Sequence, residues 1–380
     1  MPHLNPVLHL WFPNIFEFKG GIQVYTQNLL QAINQEFTEP KFVVFDKLDK
    51  RPPETSLNFN KIDFRFSGHI PYFWQTPHFA INLIQAAWFN HPRLILCGHL
   101  NFAPVAFWIH HFTGIPYWII VYGMEAWQIQ DRWKIKALQA AEKIISISGY
   151  TRDRLIETQN LRYEKIHLLP VTFDASRFNI TPKPDYLLQR YGLLPDQPVI
   201  LTVTRLVSAE RYKGYDQILH ALPDIRRQLP DIRYILVGKG DDRPRIEQLI
   251  ADLNLQDCVT LTGFIPDEEL GAHYNLCDVF AMPSKGEGFG IVYLEALACG
   301  KPALGGNRDG AIDALAHGKL GALVDPDDIG MLAQTIIQII QGTYPNPLLY
   351  QPEALRRNVI ERFGFECFKK TLTDYLCQVL

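Results

Sequence analysis

Short apolar runs alternate, from one end of the chain to the other, with longer segments whose apolar residues recur every three or four positions. Residues 7–12, 42–45, 94–97, 117–121, 144–147 and 167–171 are short, apolar and bounded by turn formers, the pattern of strands buried on both faces. Between the first two runs, Ile22, Tyr25, Leu29, Ala32 and Ile33 fall on one face of an amphipathic helix. The rhythm restarts after residue 197, with strands predicted at 199–203, 234–237, 259–262, 279–282 and 302–304 and helical patterns such as 246–253 and 331–340. Alternating strand and helix predict a parallel sheet covered by helices, and two such series predict two sheets.

The stretch from Phe173 to Gln197 separates the series, and Pro182, Pro184, Pro195 and Pro198 punctuate it as in an interdomain connection. The expected domains are residues 1–175, joined by an aromatic-rich helical segment at about 363–380, and residues 176–362. At 380 residues the chain exceeds the size at which one hydrophobic core keeps growing, which favours the same division.

Composition narrows the function. Hydrophobic residues at 47% and charged residues at 20% are ordinary for a globular protein. A formal charge of −3 supplies no drive toward nucleic acid, so none is expected as a partner. The six cysteines are scattered singly, without zinc spacing or a disulfide framework, and fit a reducing cytoplasm. Met1-Pro2-His3-Leu4-Asn5 opens no secretory signal, and no run reaches the ~18 apolar residues of a membrane span. A cytoplasmic protein, or one peripheral at the inner face of a membrane, is expected.

Four constellations carry candidate chemistry. Lys19-Gly20-Gly21 stands between the first strand and the first helix, where glycines let backbone amides approach a phosphate; the same residues also suit a tight turn. Arg205 and Lys213-Gly214 follow the first strand of the second series, where a guanidinium and an ammonium could grip a diphosphate or simply form a solvated basic loop. Residues 283–290, Pro-Ser-Lys-Gly-Glu-Gly-Phe-Gly, lie between a strand and a helix. The amides of Phe289, Gly290 and Ile291 would be free at that helix start, with Glu287 in the loop and Glu295 about one turn into the helix. A carboxylate pair so placed could accept hydrogen bonds from the hydroxyls of one ligand. Tyr122-Gly123-Met124-Glu125 ends another strand, with Glu125 readable as ligand, base or surface acid.

Glu287 to Glu295 fits an E-x7-E element, and with it the chain resembles the retaining, nucleotide-sugar-dependent glycosyltransferases of family 4. The supporting marks run the length of the chain: Gly20-Gly21, Ser146-Ile147-Ser148, Arg205, Lys213-Gly214, Val237-Gly238-Lys239-Gly240, Gly263-Phe264 and Gly300-Lys301-Pro302. The resemblance implies the GT-B architecture, two Rossmann-like α/β domains facing across a cleft, with the last helix returning to the first domain. It implies that Arg205 and Lys213 hold the donor diphosphate, that Glu287 and the Phe289-Gly290-Ile291 amides bind the transferred sugar, and that Glu295 binds the ribose. Gly238 and Phe264 would belong to the donor site, and Gly20 and Gly21 would let a loop close over the phosphate.

One position departs from the family pattern: where it has a histidine beside the donor sugar, this chain has Tyr122, with His99 as a substitute or a structural histidine. The implied reaction is hexose transfer from a nucleotide sugar, with a UDP-sugar such as UDP-glucose preferred and GDP-mannose an alternative, onto a glycan or lipid-linked acceptor. No obvious acidic metal cluster stands out, so no cofactor and no metal are expected and a cationic clamp takes the metal's place. A glycoside phosphorylase of the same fold and an inactive donor-binding subunit are the competing readings. The aromatic stretch Ile70-Pro71-Tyr72-Phe73-Trp74, with Phe79, Trp88 and Phe89, reads either as helix packing or as contact with a lipid-linked acceptor at a membrane surface.

Overall fold

The structure, a computed structural model, describes residues 7–18, 20–38, 41–51, 59 and 61–380; Lys19 lies outside them. It divides into two units, Met1–Thr172 with Phe365–Leu380, and Phe173–Gly364.

The strands of the first unit are β1 (Val7–Phe12), β2 (Lys41–Asp46), β3 (Ile62–Phe66), β4 (Leu94–Cys97), β5 (Tyr117–Val121), β6 (Lys143–Ser146) and β7 (Ile166–Leu168). They pair in parallel in the order β3-β2-β1-β4-β5-β6-β7. β1 is central, with Leu8 in register with Phe42 on one side and Leu94 on the other. Its helices are α1 (Gly21–Glu36), α2 (Tyr72–Asn90), α3 (Ala103–Thr113), α4 (Met124–Trp127), α5 (Arg132–Ala140) and α6 (Gly149–Gln159). Phe79 and Leu83 of α2, Ala106 and Ile109 of α3, Leu138 of α5 and Leu155 of α6 join one core with Ile95, Ile119 and Ile144. These helices therefore share one face of the sheet.

The second unit carries β8 (Val199–Val203), β9 (Arg233–Val237), β10 (Val259–Gly263), β11 (Val279–Met282), β12 (Ala303–Gly306) and β13 (Ala322–Val324), ordered β10-β9-β8-β11-β12-β13 and again parallel. Its helices are α7 (Asp185–Tyr191), α8 (Tyr215–Gln228), α9 (Arg243–Asp252), α10 (Asp267–Leu276), α11 (Ile291–Ala298), α12 (Ala311–Ala314), α13 (Ile329–Ile340) and α14 (Pro352–Phe363). α8 shows the logic of the set: Tyr215, Ile218, Leu219, Leu222 and Ile225 form its buried stripe, and Arg226 and Arg227 fill the last turn, where cations oppose the helix dipole. α13 starts at Asp328, whose carboxylate caps the Met331 amide, a bond of about 1 kcal/mol.

The last helix returns to the first unit, as the resemblance implies, but the segment is not continuous. α14 ends at Phe363, Gly364 is extended, and α15 (Phe365–Cys377) follows. α15 packs on α1 through Phe368, edge-on to Tyr25 at 5.4 Å, and the Tyr375 hydroxyl donates to the Leu168 carbonyl at 2.8 Å. Two edge strands, β3 and β13, did not stand out as apolar runs. β3 alternates Ile62, Asp63, Phe64, Arg65 and is only half buried, and β13 has three residues.

Candidate active site

Each sheet reverses its winding beside its central strand. Loops leaving two adjacent strand ends then diverge, which is where open α/β sheets bind ligands. In the second unit the adjacent strands are β8 and β11. The loop after β8 carries Arg205 and a 3-10 turn, Ser208–Lys213, closed by Gly214. Gly214 has φ +88°, and a Cβ there would lie 2.2 Å from the Pro283 carbonyl oxygen. The Lys285 amide donates to the Tyr212 carbonyl at 2.9 Å. The two loops are thus pressed together at their bases.

That contact brings the Lys213 ammonium onto the Glu287 carboxylate, with the two side chains 14% and 18% exposed. Burial is the largest influence on Lys213 and pulls its pKa down, but the charge of Glu287, with Tyr212 and Glu210, outweighs it and holds the pKa above the ordinary value. Lys213 is therefore protonated at neutral pH. Arg205 pairs with Glu210 of its own loop and leaves its side chain 53% exposed. Arg211 and Arg245 have other employment: both bind Asp216, and Arg245 also binds Asp242, which accepts from the Tyr215 hydroxyl at 2.6 Å.

The Glu287 loop hangs on an acid that sequence reasoning missed. Asp309 is fully buried and accepts from the Ser284 hydroxyl at 2.7 Å, the Glu287 amide at 2.7 Å and the Ala311 amide at 2.9 Å. Burial raises its pKa to about 6, against those three donors and with a further push from the charge of Glu287. The Gly310 amide returns a bond to the Glu287 carbonyl at 2.8 Å. A Cβ at Gly310 would fall 2.0 Å from the Gly288 carbonyl oxygen, so the backbones touch. The only trace in the sequence is an Asp-Gly pair after a predicted strand, a common turn signal.

Beyond Glu287 the chain enters α11 through Gly290, at φ +93°, and no side chain caps that helix. The Phe289 ring is buried, edge-on to Phe363 at 5.4 Å, which fixes the backbone that presents the Phe289, Gly290 and Ile291 amides. Glu295 accepts from the buried Tyr274 hydroxyl at 2.6 Å. Gly238, after β9, has φ +145°, and a Cβ there would meet the Thr204 carbonyl oxygen at 1.7 Å, directly before Arg205. Phe264, after β10, is 61% exposed, with the Lys239 ammonium 5.0 Å from its ring centre. All the donor-site residues expected in this unit therefore sit on loops at the carboxyl ends of its strands or in the first turns of α11.

The first unit uses its strand ends differently. Gly20 precedes α1 in extended backbone, and no side chain caps the helix. A Cβ on Gly21 would meet nothing within 4 Å, so the helix start is open. The loop before it is held by Asp49, also unnoticed in the sequence, which accepts from the Ile15 and Phe16 amides at 2.7 Å each. Asp46 accepts from the Asp49 amide at 2.8 Å, and burial together with the neighbouring Asp49 carboxyl pushes its pKa up to about 9.

Tyr122 is buried, packs edge-on to Tyr25 at 5.5 Å, and spends its hydroxyl proton on the Gly98 carbonyl at 3.0 Å. Its backbone amide donates to Glu125 at 2.5 Å, and burial raises the pKa of that carboxyl. The Nδ1 of His99 accepts from the Asn101 amide at 3.1 Å, leaving Nε2 as its N–H. Burial, helped by Lys134, lowers its pKa to about 4, so the ring is neutral at pH 7. His99 and Tyr122 lie 6.4 Å apart between ring centres. Among the described residues no group of three or more His, Cys, Asp or Glu is placed to hold a metal ion.

Two doubly wound α/β units, one presenting paired cations, carboxylates and open amides at its switch point, define a two-domain α/β protein. Comparison with known proteins sharpens this. A family model described as Glycosyltransferase Family 4 matches residues 19–177, and one described as Glycosyl transferases group 1 matches residues 187–361. The chain is 37% identical over 206 residues to the GDP-mannose-dependent alpha-(1-6)-phosphatidylinositol monomannoside mannosyltransferase of Mycolicibacterium smegmatis, covering 52% of this chain and 52% of that protein. It thus spans about half the length of the curated relatives it matches.

Among solved structures, sucrose-phosphate synthase from Thermosynechococcus elongatus superposes with a TM-score of 0.80 at 21% identity, over 98% of this chain and 99% of that one. HepE of Anabaena, in complex with UDP and glucose, gives 0.77 at 19% identity, over 98% and 100%. The chain belongs to the glycosyltransferases, joining a family 4 domain to a group 1 domain in the GT-B fold.

Proposed function

We propose that this protein transfers a hexose from a nucleotide sugar to a glycan or lipid-linked acceptor, with retention of configuration at the transferred carbon. The observation that carries the reading is the Lys213–Glu287 pair beside Arg205, assembled from the two loops that diverge at the β8/β11 switch point. Breaking a glycosyl–phosphate bond puts negative charge on the departing diphosphate. Lys213, already protonated, and Arg205, half exposed, would meet that charge without reorganising, which is where fixed charges are most effective. Glu287 would accept from sugar hydroxyls while still paired with one N–H of Lys213, and Glu295 would accept from the ribose. In this scheme the cations take the charge that a metal would otherwise neutralise.

The relative at 37% identity is a GDP-mannose-dependent enzyme, which favours GDP-mannose as donor over the UDP-sugar preferred on sequence alone. Its lipid acceptor favours a lipid-linked acceptor here. Thermal unfolding against GDP-mannose, UDP-glucose and ADP-glucose, without metal, tests the donor. At one hundred times its dissociation constant the true donor adds about 2.7 kcal/mol to stability. A shift with GDP-mannose alone is the expected result. A shift with none of the three overturns the donor site, and binding without transfer to any acceptor points to an inactive subunit. Release of a sugar 1-phosphate from a glycoside, dependent on inorganic phosphate, would identify a phosphorylase instead.

A further inference from the structure

The helix α2 carries two apolar stripes where a surface helix of a globular domain ordinarily carries one. Phe79, Leu83 and Ala87 face the sheet and are buried. Trp74, Pro77, Ile81, Ile84 and Trp88 recur every three or four positions on the far side and are exposed, Trp74 to 70% and Trp88 to 57%. Tyr72 and Phe73, at the start of the helix, are more exposed still. α3 packs against α2 and adds Trp108 and Phe112, stacked at 5.9 Å. α5 packs against α3, bringing Trp133 to 5.2 Å from Trp108, with Arg132 and Lys136 over the Trp133 ring.

The charges on these three helices are one-sided. α2, α3 and α5 contain no aspartate or glutamate, and their charged residues are Arg132, Lys134 and Lys136. The chain as a whole has 40 acidic residues and a net charge of −3, so this face runs against the overall sign. Tryptophan and tyrosine settle at the headgroup level of a bilayer, and basic residues beside them are drawn to anionic lipid. Two copies meeting through this face would instead bring their cations together, with only the α5 cap Asp131, already accepting from the Trp133 and Lys134 amides, beside them.

We propose that the exposed face of α2, α3 and α5 docks on an anionic phospholipid bilayer, its aromatic rings entering the headgroup layer and Arg132 and Lys136 meeting lipid phosphates. The surface alone carries this, and the assay below uses no donor, so its failure leaves the donor site standing and the reverse also holds.

The test is co-sedimentation with vesicles of phosphatidylcholine and with vesicles of phosphatidylcholine mixed with phosphatidylglycerol. The protein should pellet with the mixed vesicles, far less with phosphatidylcholine alone, and be released as salt is raised. Trp74→Ser with Trp88→Ser should abolish pelleting at any salt. Arg132→Gln with Lys136→Gln should lower partitioning onto mixed vesicles about 25-fold, at about fivefold per cation near the surface. The second pair remains informative if the first perturbs folding, which thermal unfolding reveals. Wild-type protein left in the supernatant with both vesicles, or both variants pelleting like wild type, overturns the proposal. A dimer in sedimentation velocity that dissociates in the tryptophan variant, without vesicle binding, assigns the face to a second copy.

Discussion

The two units share a winding scheme and use it for opposite electrostatics. At the strand ends of the second, the named groups are charged and paired: Lys213 with Glu287, Arg205 with Glu210, and Asp309 under the Glu287 loop. At those of the first, three of the named groups are kept from carrying charge. His99 is driven to about 4, Asp46 to about 9, and the phenol of Tyr122 is committed to a carbonyl. One sheet offers a charged pair assembled from two loops, while the other spends its titratable side chains on neighbouring backbone. A topology therefore specifies where a ligand can sit, and the burial of a few side chains decides which kind.

The contrast breaks most sharply at Lys213. Replacing it with alanine removes the charge facing the diphosphate and leaves Glu287 half buried and unpaired. Turnover should fall about 10²–10³-fold, the loss typical of one transition-state donor, in a transfer assay with the preferred donor. A variant within a few-fold of wild type would mean that the charged grip belongs to folding and not to transfer.

Two glycines sharpen the comparison next. Gly310→Ala drives a methyl group into the Gly288 carbonyl and should cost about 1–3 kcal/mol as overpacking, read as a lower urea midpoint. Gly21→Ala meets open space and should leave the midpoint unchanged or raised. Equal losses at both positions would remove the distinction between a packed loop and an open helix start.

The neutral acid gives a pH signature of its own. Asp46 has its pKa raised by folding from 3.8 to about 9, so the native state binds the extra proton between those values. Its contribution makes stability fall as pH rises through that window and flatten below it. Asp46→Asn keeps a neutral hydrogen-bonding group and should flatten the slope, leaving the variant more stable than wild type near pH 9 in denaturant titrations. An unchanged slope in the variant would show that Asp46 is ionised in the folded protein.

The smallest effect falls on Tyr122. Tyr122→Phe deletes one buried bond to the Gly98 carbonyl, worth about 0.5–1.5 kcal/mol. Because that hydroxyl is spent on backbone, transfer rates should stay near wild type. A large drop in rate with normal stability would return the phenol to the chemistry.

What could be read from residues alone follows the same divide. The buried strands announced themselves because both faces are apolar, as in β1 and β8. The edge strand β3 did not, since Asp63 and Arg65 sit on its half-covered surface. Glu287 and Glu295 were legible because glycines bracket the first and a helix spacing fixes the second. Asp309 and Asp49 were not. Each is one acid in a polar loop, and its role exists only once folding brings it to amides 22 to 34 residues away. Local pattern exposes residues that act through their neighbours in sequence and hides those that act through packing.

The pairing of Lys213 has a consequence for chemical reactivity. An amine attacks an acylating reagent only as the free base, and this one is held as ammonium, shielded from solvent and occupied by a carboxylate. In the resting protein, anhydrides, activated esters and cyanate should pass it by and modify exposed lysines first. Acylation at this position would then report that its loop has parted from the one bearing Glu287.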